Sequence, residues 1–250
     1  MTQFGKLYGV GVGPGAPDLM TLRAVDVLRT VDAIAIPRSN PHTKSVAWRI
    51  AEPNIPQRDD QELLMLTFPM TKDPAITAPA WDVAFTEIGR RLEAGQSVAF
   101  ICEGDPLFYS TFTYLKNQAD PRWPGVEIEV VPAVSSFTAV PAVIQTTIAD
   151  GQERVAVVPA SYGLEELPEI LRLFDTVLLM KVSSVMPELV RVLQACGLLD
   201  NSVYVSKATM EHQNVVTDLK SIQNDKCDYF SMVMVKKQDR SGVLEGAAGG

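Results

Sequence analysis

Residues 9 to 18 read Gly-Val-Gly-Val-Gly-Pro-Gly-Ala-Pro-Asp, between a strand-like run and a helix-like run. Glycine at this density lets the backbone approach another backbone or a ligand, because no Cβ intervenes and positive φ costs little. Gly11 to Ala16 satisfies G-x-G-x-x-A, a pattern that can place a dinucleotide pyrophosphate on a helix N-terminus. Two features count against that use. Pro14 removes an amide N–H from the turn that would cradle the phosphates, and the next strand ends at Ile36-Pro37, where a ribose-binding acid is expected. Asp32 has about the right sequence distance but stands at that strand's start. A tight turn with no ligand is the remaining reading.

A second turn, Cys102-Glu-Gly-Asp-Pro-Leu-Phe-Tyr-Ser110, follows a buried strand and delivers Glu103, Gly104 and Asp105 where open α/β sheets bind ligands. Asp105-Pro106 also reads as a plain helix N-cap with proline at the first helical position. A third turn, Val131-Pro-Ala-Val-Ser-Ser136, joins a strand to a hydroxyl-bearing helix start. The only histidines, His42 and His212, are isolated and read as exposed; no HExxH or GxSxG pattern occurs and no metal cluster is expected. Cys102, Cys196 and Cys227 are odd in number and far apart, so a disulfide framework is not expected and a reducing, cytoplasmic setting is.

The elements that would carry these turns alternate between short β-rich runs and longer amphipathic stretches, the pattern of βα units. The first part predicts strands at Leu7 to Val12, Ile34 to Ile36, Leu63 to Leu66 and Ser97 to Cys102. Helices are expected at Leu19 to Val31, Thr43 to Ala51, Ala80 to Glu93 and from near Phe108. The proline- and glycine-rich stretch Ala119 to Gly125 is the expected hinge, dividing an N-terminal α/β lobe, 1 to 120, from a C-terminal one, 121 to 240, with a flexible tail at 241 to 250. Beyond the hinge the patterns predict strands at Val126 to Val131, Arg154 to Val158, Thr176 to Val182, Ser202 to Ser206 and Asp228 to Val235. Helices are expected there at Ser135 to Ile144 and Pro187 to Cys196.

With 46% hydrophobic and 21% charged residues in 250, the chain has the composition of a folded protein with a substantial core. Its net charge of −8 argues against nucleic acid and anionic membrane as partners. No signal peptide or spanning segment is read from the sequence; the most apolar stretch, Val130 to Ile148, is interrupted by Pro132 and Pro141.

GVGPGAPDLMTL near the start, EGDPLFYS about ninety residues on, and VPAVSS after the hinge together resemble the tetrapyrrole methylases. The order is the family's and the resemblance covers nearly the whole chain; the stretch after Pro37-Arg38-Ser39, EGDPLFYSTF and SKATMEHQ are most similar to the branch that methylates C(20) of precorrin-2 or cobalt-factor II. The resemblance implies two α/β lobes with mixed sheets, S-adenosylmethionine in a trough between them, S-adenosylhomocysteine as product, and a homodimer. It also implies cofactor contacts from Pro14, Glu103, Gly104, Asp105, Phe108, Ser135, Ser136, Met180 and Ala208. Ala16 stands where the family usually has aspartate, and Glu103 where relatives often have glycine.

Methyl transfer from a sulfonium is an in-line displacement from a donor already activated by its charge, so alignment is what the protein must supply and no nucleophilic side chain is called for. The implied tetrapyrrole carries a rim of carboxylates, which an acidic protein attracts only if its cations are placed locally. Arg23, Arg38, Lys44, Lys181 and Lys207 are the candidates, with Arg38 and Lys44 expected to hold substrate.

Overall fold

The computed structural model describes residues 4–71 and 73–237, so the expected tail at 241 to 250 lies outside the described residues. Two compact units are present, Met1–Ser135 and Ser136–Gly250.

The first unit runs β1 (Leu7–Gly11), α1 (Leu22–Thr30), β2 (Ala33–Arg38), α2 (Val46–Ala51), β3 (Glu62–Thr67), α3 (Pro74–Glu93), β4 (Val98–Cys102), α4 (Phe112–Arg122) and β5 (Ile128–Val131). Its sheet has the order β3-β2-β4-β1-β5, and every pairing is parallel. Strand side chains alternate between two faces. Val10, Ile34, Ile36, Ala99 and Ile101 pack against Ala24, Val27 and Leu28 of α1 and Ala47 and Ile50 of α2. Leu7, Ala33, Ala35, Val98 and Phe100 pack against Ala84, Phe85, Ile88 and Leu92 of α3 and Phe112 and Leu115 of α4. The connections β1→β2 and β2→β3 thus travel one way with helices on one face, and β3→β4 and β4→β5 travel back with helices on the other, as right-handed crossovers require.

Caps set the helix starts. Thr21 accepts from Ala24 N, Ser45 from Trp48 N and Asp73 from Ala75 N. The last of these, followed by Pro74 at the first helical position, starts α3 six residues before the expected Ala80. β2 continues through Pro37 to Arg38, past its expected end. The carbonyls of Asp32 and Arg38 face β3, so by alternation Pro37 faces the β4 side, where pairing stops after Ala35 and no N–H is needed.

The expected hinge at 119 to 125 is partly helical, since α4 runs to Arg122 with Pro121 inside it. β5 then pairs with β1 over Leu7↔Ile128 to Val10↔Val131, which puts residues 121 to 135 in the first unit and its end fifteen residues later than the expected 120.

The second unit runs α5 (Ser136–Val143), β6 (Val155–Pro159), α6 (Leu167–Leu173), β7 (Thr176–Met180), α7 (Met186–Ala195), β8 (Ser202–Ser206), β9 (Asn214–Val216) and β10 (Ser231–Lys236). Its sheet, β6-β7-β10-β8-β9, is mixed: β6 and β7 are parallel, while β10 is antiparallel to both β7 and β8. Mixed pairing is therefore confined to this unit. Leu167, Leu171, Leu189 and Leu193 of α6 and α7 cover one face, and Val140 of α5 joins Leu178, Val205, Met232 and Met234 on the other. Lys236 Nζ, nearly buried at the end of β10, lies 3.1 Å from the buried Glu153 carboxylate and donates to Thr147 O at 2.8 Å.

Candidate functional site

In the first unit β1 and β4 are neighbours, yet the connection leaving β1 crosses toward β2 and the one leaving β4 crosses toward β5. The first passes on the face of α1 and the second on the face of α4, so the two turns leave the sheet on opposite faces, the arrangement beside which open parallel sheets usually bind ligands. The glycine turn follows β1 and the acidic turn follows β4, so both stand at that switch point.

There the turns bind each other. Gly104 N donates to Gly13 O at 2.8 Å, forming an isolated bridge between the two loops. A Cβ on Gly11 would lie 2.5 Å from Gly104 O, 2.6 Å from Ala133 Cβ and 2.9 Å from Pro106 Cδ, so three segments converge where only glycine fits. Gly104 holds φ +62° and a Cβ built on it meets nothing within 4 Å: its backbone faces open space.

Asp105 is not the cap of α4, which begins seven residues later. Its Oδ1 accepts from Leu107 N at 2.9 Å and its Oδ2 from Ala133 N at 3.1 Å, tying the acidic turn to the turn after β5. Pro14 is half-buried beside Gly13, and Ser135 is buried two residues beyond Ala133. The third turn thus joins the first two, by way of Ala133.

Glu103 turns toward α2, where its Oε1 accepts from Ala47 N at 3.2 Å. The residue as a whole is exposed, and the packing of its carboxyl group against α2 raises its pKa above the ordinary value through desolvation. Burial pushes the neighbouring Cys102 thiol up to about 12, which keeps it protonated and unreactive at neutral pH. The half-buried Phe108 ring packs edge-on against Tyr109, 4.8 Å between centroids, and Tyr109 takes a left-handed φ of 50°.

The other expected contacts lie in the second unit. Met180 ends β7 and Ala208 follows β8; both pack into the cluster beneath α5, whose first residue is Ser136. Of the two expected substrate cations, Arg38 donates from Nε to Thr67 Oγ1 at 3.2 Å and from Nη1 to Pro41 O at 3.0 Å, which uses two of its five N–H groups. Lys44 is exposed in the loop before α2. His42 and His212 are both exposed.

The dinucleotide reading loses its acid. Asp32 Oδ2 accepts from Ser97 N and Ser97 Oγ, each at 2.7 Å, at the amino end of the sheet, and these bonds hold its carboxyl below the usual pKa. Ala133 and Ala47, the backbone donors to Asp105 and Glu103, were not among the expected site residues; no side-chain chemistry marks an amide donor.

Known proteins bear on this arrangement. Residues 6–223 match the family model of the tetrapyrrole (corrin/porphyrin) methylases. The chain is 34% identical over 237 residues to a probable cobalt-precorrin-2 C(20)-methyltransferase of Methanocaldococcus jannaschii, covering 94% of this chain and 97% of that protein. It is 31% identical to the cobalt-precorrin-2 C(20)-methyltransferase of Salmonella typhimurium, with the same two coverages. It is 32% identical to the cobalamin biosynthesis protein CobIJ of Mycobacterium tuberculosis over 98% of this chain, and spans about half, 49%, of that longer relative. The cobalt precorrin-4 methyltransferase CbiF has the same fold at TM-score 0.72 and 21% identity, covering 92% of this chain and 94% of that one. Uroporphyrin-III C-methyl transferase from Thermus thermophilus, complexed with S-adenosylhomocysteine, aligns at TM-score 0.68 and 18% identity, covering 93% and 98%. The convergence of three turns at one switch point thus sits in a chain whose matched region takes in both units: it belongs to the tetrapyrrole (corrin/porphyrin) methylases.

Proposed function

We propose that this protein transfers the methyl group of S-adenosylmethionine to C(20) of precorrin-2 or its cobalt complex, on the route to cobalamin. The observation that carries the reading is the meeting of Gly13, Gly104, Asp105 and Ala133 at the carboxyl ends of β1 and β4, in turns whose sequences resemble the family's cofactor turns. The names of relatives covered over nearly their full length support the choice of C(20).

The residues present fit the cofactor. An adenosylmethionine offers hydroxyls, an amine and a carboxylate to backbone groups, and Gly104 exposes backbone to open space beside a cradle that no larger residue at Gly11 would leave intact. Pro14, Glu103 and Asp105 lie in the two turns and Phe108 offers a half-buried apolar ring; the resemblance adds Ser135, Ser136, Met180 and Ala208 to the proposed contacts. An adenosylmethionine held there would supply an activated methyl group for transfer to a nucleophilic carbon, with the C–S electron pair left on sulfur as S-adenosylhomocysteine and a proton lost from the acceptor. The chain's part is alignment, which suits a site whose neighbouring thiol is held protonated.

A homodimer is part of this reading, and the exposed Leu22, Met70, Val83 and Tyr114 are apolar surface available to it. A cytoplasmic location is also part of it, supported by the three free cysteines. Among the described residues no helix is long and apolar enough to cross a membrane. Calorimetric titration with S-adenosylhomocysteine and, separately, NADH tests the cofactor: the first is expected to bind and the second not. Binding of NADH alone would overturn the reading.

A further inference from the structure

Among the described residues five that are not glycine hold positive φ: Tyr109, Gln145, Lys181, Lys207 and Thr209. Gln145 follows α5 closely, where helices commonly end on a left-handed residue. Lys181 at φ 55° and Lys207 at 49° have no such explanation. Each is the first residue after a strand, Lys181 after β7 and Lys207 after β8.

Topology brings the two to one edge. β7 and β8 are both antiparallel to β10, so they point the same way on its two sides. Met180 and Val205 lie level across Met232, which leaves the lysines at the same end of the sheet, two strand spacings or about 10 Å apart and staggered by one residue. Both sit beside residues of the proposed cofactor set, Met180 and Ala208. The left-handed region brings Cβ against the following carbonyl, so glycine or asparagine would suit these positions better than lysine. Strain that persists beside Met180 and Ala208 of the proposed cofactor set points to a use for the side chain.

The side chains are placed for one. Lys181 is exposed, with Nζ 5.9 Å from the centre of the Tyr162 ring. Lys207 Nζ pairs with Asp228 at 2.8 Å and its side chain remains 34% exposed. An ammonium has three donors, so pairing with one carboxylate leaves it able to donate to another. Internal bonds close the loop that follows: Met210 N to Lys207 O at 2.9 Å, Gln213 N to Met210 O at 3.1 Å, and Thr209 N to Gln213 Oε1 at 2.8 Å.

We propose that Lys181 and Lys207, held at one edge of the second sheet by left-handed backbone after β7 and β8, form a two-point clamp for carboxylates of a polycarboxylate macrocycle. The clamp rests on the function proposed above and assigns its substrate contacts. It also bears on the charge problem of a protein at −8, because ammonium groups gathered at one edge act locally where the whole molecule repels.

The test replaces each lysine by asparagine, which tolerates the left-handed region and removes the charge. Cobalt-precorrin-2 is titrated by absorbance against protein saturated with S-adenosylhomocysteine, whose own affinity is measured by calorimetry. Lys181→Asn and Lys207→Asn are each expected to weaken the tetrapyrrole at least tenfold and to leave S-adenosylhomocysteine within twofold. Lys181→Gly and Lys207→Gly, which relieve the strain, should melt no lower than the wild type and bind tetrapyrrole as weakly as the asparagine variants. Asp228→Asn should tighten tetrapyrrole binding by freeing Lys207. Asparagine variants that bind tetrapyrrole as the wild type does would overturn the clamp alone, as would an equal loss of both ligands. A wild-type chain that binds S-adenosylhomocysteine but no tetrapyrrole would overturn the clamp together with the substrate assignment.

Discussion

The Asp105 carboxylate accepts the Ala133 amide at 3.1 Å, across twenty-eight residues of sequence, while its other oxygen accepts Leu107 N at 2.9 Å. One side chain thereby fixes two turns, and with the Gly13–Gly104 bridge it makes the carboxyl ends of β1, β4 and β5 a single preorganised surface. Asp105→Ala leaves two backbone donors without their acceptor, at about 1–3 kcal/mol. A melting temperature several degrees lower and an S-adenosylhomocysteine affinity reduced at least tenfold are expected, by thermal denaturation and calorimetry.

Gly104→Leu separates ligand space from stability. The added Cβ meets nothing within 4 Å, so the fold bears only the left-handed strain of φ +62°, about 1–2 kcal/mol, while the side chain occupies the space facing the proposed cofactor. The variant should keep its circular dichroism spectrum and lose S-adenosylhomocysteine binding. Retained binding would make this turn structural only.

Asp32 and Ser97 give stability a pH dependence of known sign. The native Asp32 pKa lies below the ordinary value because Ser97 donates to the carboxylate, so the stabilisation is present above the ordinary aspartate pKa and fades as pH falls through the depressed native one. Asp32→Asn should therefore cost about 1–2 kcal/mol at neutral pH, with the difference from wild type closing in strong acid, measured by urea unfolding across pH.

Glu103 has the opposite sign. Desolvation raises its native pKa, so ionisation in the folded state is disfavoured and its contribution to stability declines as pH rises from the ordinary glutamate value to the raised one. Glu103→Gln keeps an acceptor for Ala47 N without the charge. It should melt higher than wild type at neutral pH, and that advantage should vanish below the ordinary carboxylate range.

In the second unit, Glu153→Ala would leave the Lys236 ammonium, 8% exposed, without its carboxylate. Loss of one partner from a buried pair costs about 3–5 kcal/mol, and a melting temperature lower by on the order of ten degrees is expected by calorimetry.

The strands and the turns that bear chemistry were legible because their signals are local: β4 as a run of buried apolar residues, β8 from Ser202 to Ser206, and the three turns from glycine, proline and hydroxyls. Pairing partners were not. Nothing in residues 126 to 131 says that this strand joins β1 rather than opens a new lobe, and nothing in 231 to 236 says that the last strand inserts between β7 and β8. α6 and the three-residue β9 are too short for a periodic signal, and Asp105 reads as a helix cap until Ala133 is seen beside it. The left-handed lysines were likewise invisible, since lysine is not a residue that announces positive φ.

The account is tested most directly by incubating the purified protein with methyl-labelled S-adenosylmethionine and either precorrin-2 or cobalt-precorrin-2, then locating the label by carbon NMR. It predicts one labelled methyl on C(20), with one equivalent of S-adenosylhomocysteine formed. A label at another ring carbon, or no transfer to either acceptor, would contradict it.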